Sequence, residues 1–196
     1  MSIELAQLRK QLRKQRRQVS AYRQQQSEQQ ILQRLRPVPE FKRAKHVGIY
    51  LHAFGEIQTR KIIDYCFHQK KVVYLPMICN MNQRLVWVRV SRNQFQNKRF
   101  SHHPLGMQEP MATRGQHVSH LDLLLMPLLA CDLYGTRIGM GGGFYDKTLA
   151  AAPYHRPFRL GLAHHFQLVP QRLIREKWDQ PLDGLLTPQQ YLRFKR

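Results

Sequence analysis

Between Lys45 and Ile78 three segments of different periodicity follow one another with only short joins. His46 to Leu51 is an apolar run of strand length, Thr59 to Gln69 repeats Ile62, Ile63, Cys66 and Phe67 at helical spacing, and Lys71 to Ile78 is a second apolar run. Strand, helix and strand in that order bury both runs as a parallel pair, with the helix crossing over one face of the sheet. Neither an all-helical nor an all-strand chain is written this way. Downstream, Arg84 to Val90 alternates as an edge strand does, and Asn93 to Val118 reads as a long irregular connection. Leu121 to Leu129 is the strongest buried strand, followed by a turn at Asp132 to Gly135 and a helix beginning near Gly143. Arg159 to His164 and Gly184 to Thr187 supply two more strands, with a short helix expected over Pro170 to Trp178. The fold expected is α/β: a single domain over residues 1–196 with a mostly parallel central sheet flanked by helices.

A basic helical segment precedes this pattern. Leu5, Leu8 and Leu12, then Ile31, Leu32 and Leu35, form two helical stripes in a stretch rich in Arg and Gln. Ser20 is placed to cap the second helix and Pro37 with Pro39 to end it. Arg16 and Arg17 read as exposed members of the first. The whole chain carries 32 Lys and Arg against 12 Asp and Glu, a formal charge of +20 that predicts attraction to polyanions, whether nucleic acid, anionic lipid, nucleotide or polycarboxylate. The longest apolar run, Leu123 to Cys131, is broken by Pro127 and falls far short of the ~20 residues of a membrane-spanning helix, so no membrane role is expected. The Arg-rich start resembles a transit peptide, but the apolar core and cleavage site of a secretory signal are missing. Cys66, Cys79 and Cys131 form no C-x-x-C pair, which argues against a disulfide framework or zinc ribbon and fits a reducing cytoplasm.

The residues Gly139-Met140-Gly141-Gly142-Gly143 lie between a buried strand and a helix, where glycines let the backbone approach a ligand and free N–H groups favour phosphate. A P-loop would place Gly directly before the Lys147-Thr148 pair, where Asp146 stands; a dinucleotide fingerprint would end on Gly where Phe144 stands. Arg137 ahead of the cluster can grip phosphate oxygens with its fork, and Asp146 behind it can hold the magnesium that accompanies a nucleotide.

The run Met126-Pro127-Leu128-Leu129-Ala130-Cys131-Asp132, then Gly135, then Arg137 through Ile138, the glycines, Phe144, Tyr145, Asp146 and Lys147, is similar to the signature of the 5-formyltetrahydrofolate cyclo-ligase family, also called methenyltetrahydrofolate synthetases. Gly55-Glu56-Ile57-Gln58-Thr59, Glu109-Pro110 and Trp178-Asp179-Gln180-Pro181-Leu182-Asp183 resemble further family segments in the same order, covering nearly the whole chain. The resemblance implies an ATP- and magnesium-dependent ligase of one-carbon metabolism that closes 5-formyltetrahydrofolate to 5,10-methenyltetrahydrofolate with release of ADP and phosphate. ATP would phosphorylate the formyl oxygen, and N10 would then attack the activated carbon. It further implies that Arg9 and the stretch Arg137, Ile138, Gly139, Met140, Gly141, Gly142, Gly143, Phe144 and Tyr145 hold ATP, with Arg137 and Tyr145 catalytic. Leu51, Glu56 and Tyr145 would line the folate pocket, and Asp146 and Asp183 would serve magnesium. Where the family often has lysine, four residues before Arg9, this chain has Leu5, and Arg13 is the neighbour best spaced to substitute.

The remaining features suggest packing. The pairs His102-His103 and His164-His165 have diverging side chains that do not suit zinc, Trp87 and Trp178 suit a core or pocket wall, and Cys131 suits a buried inert thiol. A basic RNA- or DNA-binding protein is the alternative reading, though no helix-turn-helix, RNP or zinc-finger pattern appears. The resemblance implies a small-molecule folate, with or without a polyglutamate tail, as the partner; no specific nucleic acid is expected, and the protein is expected to be a monomer.

Overall fold

The computed structural model describes residues 3–153 and 155–195. Helices α1 (Ile3–Arg17) and α2 (Ala21–Leu35) follow the two leucine stripes, and Ser20 caps α2 by accepting a hydrogen bond from Arg23 N–H at 3.3 Å. Pro39 does more than end α2: it opens a short helix α3 (Pro39–Arg43), where its missing N–H costs nothing. Strand β1 (His46–Gly48) is shorter than the apolar run suggests, because the chain leaves the ladder after Gly48 to begin the loop that carries Glu56. Helix α4 (Arg60–His68) buries Ile62, Ile63 and Cys66 while Phe67 is half-buried. Its N-cap Thr59 makes no side-chain cap; the buried Glu28 of α2 accepts from Lys61 N–H at 2.8 Å instead.

Strands β2 (Val72–Cys79) and β3 (Arg84–Val90) form an antiparallel hairpin. The connection expected to be irregular contains α5 (Arg92–Gln96), opened by a Ser91–Gln94 capping box, and a small ladder of β4 (Phe100–His102) with β5 (Gln108–Pro110). A 3₁₀ turn at Val118–His120 leads to β6 (Leu123–Pro127), then a two-residue ladder of β7 (Ala130–Cys131) with β8 (Arg137–Ile138), and α6 (Phe144–Leu149). The chain finishes with β9 (Phe158–Leu162), a 3₁₀ turn at His165–Gln167, β10 (Gly184–Leu186) and β11 (Tyr191–Arg193), a strand the sequence did not announce. The helix expected over Pro170 to Trp178 does not form. Leu173 is buried while its neighbour Ile174 is exposed, and Leu173 N–H is taken by the Asp132 carboxylate at 3.0 Å, so the segment is pinned as an extended strap.

The seven-stranded sheet runs β11-β10-β9-β6-β1-β2-β3, with β10, β9, β6, β1 and β2 all parallel and an antiparallel strand at each edge. On β6, Leu123 and Leu125 face a cluster with Ile31, Phe41 and Ile62, while Leu124 and Met126 face one with Trp87 and Leu149. That alternation buries the central strand on both faces, which explains its unbroken apolar sequence. A third cluster docks α1 through Leu12 onto Ile138, Leu129 and Leu173. No described helix is long and apolar enough to cross a membrane.

The order contains one reversal. From β1 the chain adds β2 and β3 on one side, and β6, β9, β10 and β11 then build on the other, so β1 and β6 are the adjacent strands from which successive connections depart in opposite directions. In open parallel sheets the crevice outside the carboxyl ends of such strands is where ligands bind.

A candidate active site at the switch point

The loop that follows β1 reaches directly into this crevice. Phe54 and Gly55 both have positive φ, 51° and 76°, which folds the loop back so that Glu56 N–H meets Ala53 C=O at 2.9 Å and the Glu56 carboxylate accepts from Ala53 N–H at 3.0 Å. A Cβ on Gly55 would lie 2.3 Å from the backbone oxygen of Arg16, so only glycine lets the end of α1 rest on this loop. Burial pushes the Glu56 carboxyl up to about 7, against the opposing pull of Arg16 and the Ala53 N–H. Tyr50, whose hydroxyl donates to Ile57 C=O at 3.1 Å, and Tyr145 face the same carboxylate. Burial, then Glu56, raises the Tyr145 phenol, keeping it a protonated donor at physiological pH. Leu51, half-buried against the core cluster, forms part of the same loop.

The glycine-rich loop is built from a turn organised by Asp132. That fully buried carboxylate accepts from Tyr134 N–H at 2.9 Å and Thr136 N–H at 2.8 Å, fixing β7 against β8, from which Arg137 emerges. Arg137 pairs with Asp146 at 2.6 Å and lies 6.0 Å from the centre of the Tyr145 ring. Thr148 anchors the far end of α6 by accepting from Leu85 N–H of β3 at 2.7 Å. Arg13 of α1 donates to Met140 C=O at 2.8 Å, so α1 also braces the loop.

The residues fit an anionic ligand in two respects. The Nε groups of Arg13 and Arg137 are buried at this loop without a hydrogen-bond partner, and such orphaned charged donors are costly unless something accepts from them. Gly141, with φ 110°, has nothing within 4 Å of where a side chain would project, leaving open space over the loop. For a divalent cation the fit is through Asp146, whose contacts to Arg137 and Gln180 N–H both fall on Oδ1. Among the described residues no group of three or more His, Cys, Asp or Glu assembles. Magnesium characteristically uses one or two carboxylates together with substrate phosphates, which such a site allows.

The two expected metal residues are placed differently. Asp183 precedes β10, at the amino ends of the strands, and accepts from Arg159 N–H at 2.7 Å. Arg159 in turn donates to the Gln180 side chain at 3.1 Å, and Gln180 N–H donates to Asp146 at 3.0 Å, so Asp183 reaches Asp146 through two intermediaries. Arg9 is half-buried on α1, the helix that carries Arg13.

Trp178 and Arg16 stand differently from what the sequence leads one to expect. Trp178 is not part of the core: it stands 66% exposed, whereas Trp87 is fully buried as expected. Arg16, read as exposed, is 1% exposed and lies in the middle of the site. Its Nε donates to Phe54 C=O at 2.9 Å, one terminal nitrogen to Leu128 C=O at 3.3 Å, the other to Met140 Sδ at 3.3 Å, and the Glu56 carboxylate is 3.7 Å away. Four-residue spacing from Leu12 is the only hint the sequence holds that this position faces inward. Cys131 is buried, its thiol pushed up by burial, in keeping with an inert side chain.

A sequence profile of the 5-formyltetrahydrofolate cyclo-ligase family matches residues 2–188. The 5-formyltetrahydrofolate cyclo-ligase of Escherichia coli K12 is 34% identical over 181 residues, covering 90% of this chain and 96% of that one. That of Haemophilus influenzae is 35% identical over 191 residues, covering 92% and 96%. The NMR structure of Aquifex aeolicus 5,10-methenyltetrahydrofolate synthetase matches with a TM-score of 0.81 at 26% identity, over 97% of this chain and 93% of that one. The 5,10-methenyltetrahydrofolate synthetase of Mycoplasma pneumoniae shares the fold, with a TM-score of 0.71 at 17% identity over 93% and 98%. With the profile spanning nearly the full length, and bacterial relatives at a third identity aligned end to end, the chain belongs to the 5-formyltetrahydrofolate cyclo-ligase family.

Proposed function

We propose that the protein cyclises 5-formyltetrahydrofolate to 5,10-methenyltetrahydrofolate with consumption of ATP, as a ligase forming a C–N bond. The observation that carries this reading is the meeting of two unlike half-sites over the ends of β1 and β6. One is a buried carboxylate, Glu56; the other is a glycine loop holding Arg137 and Asp146. ATP with magnesium supplies the phosphoryl group that turns the formyl oxygen into a leaving group, so that N10 can close the ring as phosphate departs.

The chain's own residues position and neutralise. Glu56 accepts hydrogen bonds from the amino-pyrimidine edge of the pterin, and Leu51 offers it an apolar wall. Arg137 and Arg13 direct their buried donors at phosphate oxygens, while the open space over Gly141 admits the phosphates to the backbone. Tyr145, a neutral phenol between the half-sites, donates a hydrogen bond to the reacting oxygen. Asp146 is the magnesium ligand, and Asp183 steadies it through Arg159 and Gln180. Arg9 adds charge from α1. The exposed cations of α1, among them Lys14 and Arg17, suit the glutamate tail of a polyglutamylated folate.

The test is direct. Purified protein mixed with 5-formyltetrahydrofolate, ATP and magnesium should develop the absorbance of the methenyl product, and should do so only with ATP and a divalent cation present. Asp146→Asn should fold normally yet lose most of its activity. Turnover that survives chelation, or an unchanged rate and metal dependence in Asp146→Asn, would remove magnesium from the reading.

A further inference from the structure

Arg16 is a buried guanidinium whose placement the proposed roles above do not use. A guanidinium removed from water is expensive to bury, and a site that needed only filling would be served by an apolar side chain. Its contacts explain its presence better. They fall on three separate segments: the loop after β1 through Phe54 and Glu56, the end of β6 through Leu128, and the glycine loop through Met140. Every one of these lies at the carboxyl edge of the sheet, and the chain brings them there from far apart in sequence.

We propose that Arg16 is a positioning residue that ties the Glu56 loop and the glycine loop to one fixed point, so that the folate end and the phosphate end of the site keep their spacing. The inference rests on the reading of those two half-sites as the folate and ATP sites. Arginine suits the task because its five donors sit in a rigid fork; lysine offers a point charge on a flexible stem and cannot hold three loops at once. Arg16 also has an electrostatic role. The groups facing Glu56 are Arg16 from α1, Tyr50 after β1 and Tyr145 from α6, with His164 after β9 touching Gly55 C=O at 3.1 Å. Of these, the guanidinium is the one that favours the ionised carboxylate.

The test uses Arg16→Gln and Arg16→Lys, with Glu56→Gln as the control that assigns the Glu56 signal in a carbon-13 NMR titration of the glutamate carboxyls. In Arg16→Gln the Glu56 titration should move upward by about one unit or more, since its counter-charge is gone, and the folate KM at neutral pH should rise about fivefold or more as the ionised fraction falls. Arg16→Lys should leave the titration near its original place but raise the ATP KM severalfold, because the charge remains while the hold on Met140 is lost. An unmoved Glu56 titration in Arg16→Gln, or an Arg16→Lys protein with both KM values unchanged, overturns the proposal. Should Arg16→Gln fail to fold, the ATP KM of Arg16→Lys decides alone. Failure of the underlying functional reading is separately visible: the unaltered protein would then make no methenyl product, while the NMR titration would still report whether Arg16 governs Glu56.

Discussion

Replacing Glu56 with Gln should stabilise the protein, and by an amount that depends on pH. The folded carboxyl is pushed up to about 7 from a reference of 4.5, chiefly by burial that outweighs the nearby guanidinium. Between these values the folded chain holds a proton that the unfolded chain releases, so the carboxyl's favourable contribution is complete below pH 4.5 and is lost as pH rises through 7. A shift of that size corresponds to roughly 3 kcal/mol at about 1.4 kcal/mol per unit. Glutamine keeps an oxygen for Ala53 N–H but has no proton to lose. Thermal unfolding of both proteins from pH 5 to 8 should give similar midpoints at the acid end. By pH 8 a gap of about 6–12 °C should favour Glu56→Gln, on the scale of about 2–4 °C per kcal/mol for a chain of this length. Other titrating groups, such as Glu28 and His164, are common to both proteins and cancel in the difference. A gap that stays constant over this range would refute the picture of a desolvated, functionally retained carboxylate.

Three further outcomes are expected. Gly141→Ala should raise the ATP KM more than the folate KM, because its φ of 110° strains a side chain that would also project into the space over the loop; equal losses for both substrates would contradict that role. Lengthening the glutamate tail of the folate should raise kcat/KM, with added salt erasing the gain as screening shortens the reach to ~8 Å; replacing the exposed Lys14 and Arg17 with Ser should diminish the gain and spare kcat. Glu28→Ala should lower stability by about 1–2 kcal/mol in chemical denaturation, the range for a lost helix cap, whereas Glu28→Gln should recover much of it by still accepting from Lys61 N–H.

Much of the architecture could be read from the residues because it follows from local periodicity. The alternation of apolar runs with the 3.6-residue repeat of α4 fixes a parallel β–α–β unit whatever surrounds it, and the unbroken apolar run of β6 requires cover on both faces. Arg137, the glycines and Asp146 were legible for a similar reason, since adjacency in the chain alone brings them together. Tertiary structure decided the remainder. Pro170 to Trp178 looked helical until the Asp132 carboxylate, 41 residues earlier, claimed its backbone N–H. The start of α4 is held by a carboxylate of α2, 33 residues earlier, and not by the side chain of its own N-cap residue Thr59. Arg16 looked solvated because nothing near it in sequence could repay its desolvation. The carbonyls that do so, from Phe54 and Leu128, stand 38 and 112 residues away and arrive only when Leu12 docks α1 onto the base of the glycine loop. Local propensity is a property of neighbours along the chain, whereas the burial of a charge depends on which polar groups the fold brings to meet it.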